Sequence, residues 1–214
     1  MFSVKDRDVV IPGQLLGEKI RHDENCFDEG DRVFSAVRGM ARISDNTVSV
    51  IPITGPYLPR RGDIVIGVVT DVGGSFWILD IGTGANCILR AETVSRDRNP
   101  DMKGYFDVGD AVSMKVDDVN EINDPVLSGP RKLTGGSIIT VNPMRIPRIL
   151  GKKRSMIDMI KNKTNSRISV GQNGRIWIGG EDTQKVVNVI KTIEREAHTS
   201  GLTNRISAAL DRSD

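Results

Sequence analysis

Residues 151–180 read GKKRSMIDMIKNKTNSRISVGQNGRIWIGG, and the apolar period changes partway through them. Met156, Ile157, Ile160 and the stem of Lys161 recur at one-turn spacing, which predicts a helix with one apolar face. Arg167–Val170 and Arg175–Ile178 then read as two short strands around Gly171-Gln172-Asn173-Gly174. An Asn-Gly pair between apolar runs predicts a tight hairpin, because a primed turn needs positive φ at its central residues. On this reading Asn173 is a turn residue. After Gly179-Gly180 a second helix is expected, with Val186, Val189, Ile190, Ile193 and Ala197 on one face. Glu181 and Asp182 at its start, and Arg195 and His198 near its end, agree with the helix dipole. Gly201 stops it, and Ile206, Ala209 and Leu210 predict a short docked helix in the tail. In front of the first helix, Gly151-Lys152-Lys153-Arg154 sets a glycine and three cations where unpaired N–H groups and the dipole favour an anion, such as a phosphate.

The 214 residues suffice for two or three small domains, and 38% hydrophobic with 27% charged residues is a globular composition. Aromatics make up 4%, too few for a continuous stacking surface. No apolar run approaches the roughly 20 residues of a membrane span. The N-terminus MFSVKDRDVVIPG has early charges and no apolar core, so it is not read as a secretory signal and a cytoplasmic location is expected. Cys26 and Cys87 have no metal spacing and read as reduced thiols; His22 and His198 read as surface residues. No cofactor or metal motif is present. The net charge of +2 is unevenly spread: −1 over residues 1–60, −6 over 61–130 and +9 over 131–214. From Arg131 to Arg154 there are seven basic residues and no acid, which points to a polyanionic partner for the last third.

Residues 1–60 carry a small all-β pattern: Val9-Val10-Ile11 before a Pro-Gly turn, then short β-branched segments near Arg32–Val37, Met40–Ile43 and Thr47–Ile53. Tyr57 to Asp63 is a proline-punctuated joint. Over 61–130, segments at Gly62–Val72, Phe76–Ile81, Ala85–Leu89 and Ala111–Val119 alternate with glycine corners, which suits an OB-type barrel completed near Pro125–Leu127. Residues 131–214 form the third unit, with Ile138–Val141 as its first strand.

The order strand, helix, glycine loop, helix, two strands, helix resembles a type I KH domain, whose G-x-x-G loop clamps nucleic-acid backbone. Here the loop reads Gly151-Lys152-Lys153-Arg154, with arginine in place of the second glycine. The register GDIVIGVVTDVGGSFWILDIG resembles an S1 domain. Against that pattern the usual aromatic before the central glycine falls on Ser75, the next on Ile78, and the usual histidine on Arg90. Phe76 and Trp77 sit beside those places and are open to two readings, core packing or base stacking. G-x-N-G followed by a Trp-centred strand (Gly171, Asn173, Gly174, Trp177) resembles the KH domain of RNA exosome cap subunits, and VIPG near the start resembles their N-terminal domain. Trp177 is read as structural, packing the hairpin against its own helix or against the barrel.

The whole chain thus resembles the archaeal cap subunit that combines an N-terminal domain, an S1 barrel and a KH domain. That resemblance implies a non-catalytic protein, present as a homotrimer or mixed trimer with another cap subunit on a hexameric ring of RNase PH-like subunits. It implies capture of single-stranded RNA, with adenine-rich 3′ ends among the substrates, and passage through the pore. The N-terminal domain is implied to dock on the ring. Arg90, Arg96, Arg98 and Lys103 on the barrel, with Gly151, Lys152, Lys153 and Arg154, are the expected RNA-binding residues. A free-standing S1/KH factor in translation or ribosome assembly, and a mainly structural clamp of the ring, are the alternatives. No P-loop, zinc-ligand cluster or Ser/His/Asp signature supports an enzyme. Asp117-Asp118 are adjacent on a strand and point to opposite faces.

Overall fold

The structure, a computed structural model, describes residues 1–53, 55–84, 86–95, 101–120, 124–196 and 201–211. The chain divides into two compact units, Met1–Gly55 and Pro56–Asp214. The first is all β. One sheet has the order β1 (Val9–Val10), β6 (Gly39–Ser44), β7 (Thr47–Pro52), β3 (Arg21–His22), and the other β2 (Leu15–Glu18), β5 (Arg32–Ser35), β4 (Cys26–Glu29). Alternation along β7 sends Val48 and Val50 inward, where they meet Val10, Leu16, Val33 and Ala41. The same alternation leaves Val9, Met40 and Ile51 in register as one row across the outer face of β1, β6 and β7. Val9 and Ile51 are exposed and Met40 half-buried.

The second unit begins with a five-stranded antiparallel sheet in the order β10 (Asn86–Arg90), β9 (Phe76–Asp80), β8 (Ile64–Val72), β11 (Ala111–Val119), β12 (Pro125–Leu133). Its curvature encloses Val65, Val69, Trp77, Leu79, Leu89, Val112, Met114 and Leu127. β12 runs six residues beyond the expected Leu127, across the boundary drawn at residue 130. A Gly-Pro pair inside a strand reads as a stop; here Ser113 pairs with Arg131 and Lys115 with Ser128, so Gly129 and Pro130 together oppose Met114. Gly129 takes φ 56° at this bulge, and the ladder resumes beyond it.

Trp77 is fully buried, which settles its reading as core. Its Nε1–H donates to the carbonyls of Met102 (3.2 Å) and Phe106 (3.0 Å), tying β9 to the short helix α1 (Met102–Tyr105). The Phe106 ring meets the indole edge-on, with centroids 5.3 Å apart. The Tyr57 hydroxyl donates to Asp63 Oδ2 at 2.6 Å and anchors the joint to the barrel core.

The rest of the unit is a three-stranded antiparallel sheet in the order β13 (Gly136–Thr140), β15 (Arg175–Gly179), β14 (Arg167–Val170), covered by helices α2 (Ile146–Leu150), α3 (Ser155–Thr164), α4 (Thr183–Arg195) and α5 (Leu202–Asp211). Met156, Ile157 and Ile160 of α3 and Val186, Val189, Ile190 and Ile193 of α4 are buried, as their spacing predicts; Ala197 and His198 lie outside the described residues. In α5 the buried face is Leu202, Ile206 and Leu210, and Ala209 is exposed. Lys163 Nζ fastens α5 to α3 through the Ser207 hydroxyl (2.8 Å) and Asp211 (2.5 Å).

The double hydrogen bond of Trp77 makes the barrel sensitive to a small change. Trp77→Phe leaves two carbonyls without that donor and a void beside Phe106, and is expected to cost about 2–4 kcal/mol in urea unfolding.

Candidate nucleic-acid interface

The Gly151–Arg154 loop joins α2 to α3. Gly151 has φ 74°, and a side chain there would collide with the backbone and Cβ of Met156. Lys153 (φ 52°) and Arg154 (φ 66°) are also left-handed, and neither is glycine. Each such residue costs roughly 1–2 kcal/mol relative to the right-handed region. Arg154 is the N-cap of α3 and offers no side-chain cap; the Ser155 amide is taken by the Lys152 carbonyl, and the amides that follow it open the ten-residue helix at the loop. Lys152, Lys153 and Arg154 are exposed and form no ion pair among the described residues. The loop thus keeps the left-handed turn expected of a glycine while presenting a guanidinium at that place.

Other cations of the basic stretch are engaged. Lys132 Nζ pairs with Asp110 at 2.5 Å, and Arg131 reaches the Ser169 hydroxyl at 3.4 Å. Burial raises the Asp110 carboxyl, and the Lys132 ammonium with the Asp107 amide more than offsets this, leaving it below the usual carboxylate range. The charge run therefore resolves into cations bound within the unit and a cluster left open at the loop.

The Gly171–Gly174 turn differs from its sequence reading. Only Gly174 has positive φ (82°), and Asn173 is buried rather than displayed at a turn tip. Asn173 Oδ1 accepts from the Ile66 amide (3.2 Å), and Nδ2 donates to the carbonyls of Ile66 (2.8 Å) and Ile81 (2.7 Å). Gln172 does the same two residues earlier: its amide donates to the Ile64 carbonyl (2.8 Å) and its Oε1 accepts from the Ile64 amide (2.9 Å). β9 pairs with β8 only from Val68 onward, so the turn covers the edge of β8 where no strand reaches it. Gly171 is required by the approach: a Cβ there would lie 2.9 Å from the Ile66 amide nitrogen. Next to it, Arg175 donates to the Asp80 carbonyl and pairs with Asp80 Oδ2 at 2.5 Å. Burial raises the Asp80 carboxyl, but Arg175 and the Gly82 amide together hold it below its ordinary value. The only signal for this joint in the sequence was the Asn itself, which serves a turn equally well.

Trp177 is buried on the sheet face away from the helices, because its neighbours Ile176 and Ile178 fill the helix-side core. Of the two packing partners expected for it, its own helix or the barrel, the helix is ruled out, and the reading of Trp177 as structural rather than exposed holds. Its ring lies across Gly136 and Gly179, where side chains would overlap it, and under the Arg167 guanidinium, 5.5 Å from the centroid.

On the barrel, Phe76 and Arg90 are register partners at one end of β9 and β10, and Ile78 and Ile88 are the next pair on that outer face. Phe76 (38%) and Ile88 (54%) are exposed, as is Arg90. Phe76 thus faces solvent beside a cation, one residue from where the S1 pattern places an aromatic. The face borders a cleft of about 230 Å³ between β10 and β12, lined by Ile88, Arg90, Thr93, Asn120, Asp124 and Val126 among others. Lys103 is exposed on α1; Arg96 and Arg98 lie outside the described residues.

A barrel with an exposed aromatic–arginine pair, fused to a KH fold with a cationic loop, is an S1–KH protein of the nucleic-acid-binding class. Residues 58–128 match the S1 RNA binding domain and residues 136–184 the KH domain. The chain is 40% identical to exosome complex component Rrp4 of Pyrococcus furiosus over 97% of this chain and 84% of that one. With the Rrp4 of Methanothermus fervidus it shares 38% identity, covering 100% of this chain and 99% of the relative. A crystal structure assigned as an exosome complex RNA-binding protein superposes with a TM-score of 0.65 at 34% identity, over 73% of this chain and 96% of that one. The chain belongs to the Rrp4 family of exosome complex components.

Two substitutions probe this geometry. Asn173→Ala strands an amide and two carbonyls and is expected to cost about 3–5 kcal/mol, read as a lower urea midpoint and faster proteolysis between barrel and KH fold. Arg154→Gly relieves a left-handed arginine. It is expected to stabilise by about 0.5–1 kcal/mol in thermal unfolding while weakening binding of single-stranded RNA.

Proposed function

We propose that this protein is a non-catalytic RNA-binding cap subunit of an exosome. It captures single-stranded RNA, adenine-rich 3′ ends included, and passes it through a central pore to a phosphorolytic ring for 3′-to-5′ degradation in the cytoplasm. The observation that carries the reading is the Gly151–Arg154 loop: exposed cations with no ion pair among the described residues, at a helix N-terminus without a side-chain cap, in a chain of the Rrp4 family. A phosphate there meets N–H donors and charge together. Arg90 with Phe76, and Lys103, Arg96 and Arg98, form a second set of contacts on the barrel. Each set is weak alone. Three copies around one opening, as a homotrimer or a mixed trimer with another cap subunit, hold the strand by raising its local concentration.

Docking on a hexameric ring of RNase PH-like subunits falls to the N-terminal unit. The row Val9–Met40–Ile51, with exposed Ile11 nearby in sequence, is an apolar row on the outer face of its sheet and suits a protein partner.

Native mass spectrometry of the chain mixed with ring subunits is expected to show three copies per hexamer. Val9→Asp with Ile51→Asp should abolish that complex while leaving RNA affinity of the free chain unchanged. No complex with the wild-type chain, alongside tight salt-sensitive RNA binding by the monomer, would replace the cap reading with that of a free-standing RNA-binding factor.

A further inference from the structure

Of the chain's nine aromatic residues, three are exposed: Phe27, Phe76 and Tyr105. Phe27 is stacked on Phe34, with centroids 5.6 Å apart. Phe76 and Tyr105 have no ring partner among the described residues, and both stand on the barrel.

Tyr105 is held at the surface by what surrounds it in the chain. Met102 and Phe106 are buried, and their carbonyls both accept from Trp77 Nε1, so the backbone is fixed on either side of Tyr105. Tyr105 itself remains 39% exposed. Lys103 is exposed on the same turn. The acids nearby in sequence are engaged locally: Asp107 accepts from the Val108 amide (2.8 Å), Asp110 pairs with Lys132, and the Asp101 carboxylate lies against Gly104. Trp77 also directly follows Phe76, so the indole that pins Tyr105 ties this helix to the end of β9 where Phe76 and Arg90 stand.

We propose that Tyr105 is a second base-stacking platform of the barrel, taking one unpaired nucleobase of a strand whose backbone runs past Lys103. The proposal rests on the RNA-binding reading above and extends it from a phosphate-tracking surface to one that also grips bases. A side chain on backbone already fixed by the core brings less freedom to lose when a base stacks on it.

The test uses the full chain and a 5′-labelled 16-nucleotide single-stranded RNA, with affinity measured by fluorescence anisotropy across a salt series. Tyr105→Ala is expected to weaken binding by roughly 5- to 150-fold with an unchanged salt slope. Tyr105→Phe should bind like wild type. Lys103→Ala should instead flatten the salt slope by about 0.7, the loss of one phosphate contact on a single strand. Photocrosslinking of a 5-iodouridine version should place the adduct on Tyr105. Wild-type binding with an unaltered Tyr105→Ala affinity and no adduct overturns the platform alone, and if that variant loses ring association instead, Tyr105 is a protein contact. Absence of any RNA binding by the wild-type chain overturns the RNA-binding reading as well.

Discussion

One carboxamide joins the two halves of the RNA-binding body. Asn173 presents its oxygen and nitrogen to Ile66 as a peptide group would, and its second N–H reaches Ile81. With Gln172 on Ile64, it completes the edge of β8 in place of a strand. No isosteric apolar side chain can do this, because the groups it bonds are backbone donors and acceptors. The ion pair of Arg175 with Asp80 stands beside it and is more open to solvent, so its strength depends on salt and on the carboxylate remaining charged. The barrel and KH fold are therefore fastened by a cluster of directional bonds.

The same joint determines what the KH fold offers to a ligand. Its hairpin turn is committed to the barrel, and Trp177 is closed off beneath Arg167. The Gly151–Arg154 loop, between α2 and α3, takes part in neither of these contacts and remains exposed. There the chain accepts unfavourable backbone at Lys153 and Arg154 and gains exposed charge. Stability is concentrated in one turn and conceded in another.

Much of this was legible in sequence because it depends on period. The helical faces of α3 and α4 and the barrel strands follow from apolar spacing that tertiary contacts did not override. The charge run from Arg131 to Arg154 was legible only as a run: whether a given cation is open or, like Lys132, paired depends on which acid the fold brings to it. Asn173 does stand in a turn, but without positive φ, and its bonds to the barrel were not legible because a turn asparagine and a buried one look alike until the surface they face is known. Phe76 and Trp77 could not be separated for a related reason. Adjacent strand residues take opposite faces, and sequence fixes the alternation but not its phase. The extension of β12 past Gly129-Pro130 shows the converse, where a bulge absorbs residues that read as a terminator.

Trp177 and the glycines beneath it carry a consequence for descent. The indole occupies the space that any side chain at Gly136 or Gly179 would need. A side chain at either glycine displaces the ring, and at Gly136 it would also run into the Ile178 carbonyl, so that glycine is required by the backbone as well as by the indole. A side chain at position 179 is therefore expected to be tolerated only beside a smaller residue at 177, whereas position 136 stays closed to any side chain whatever stands at 177.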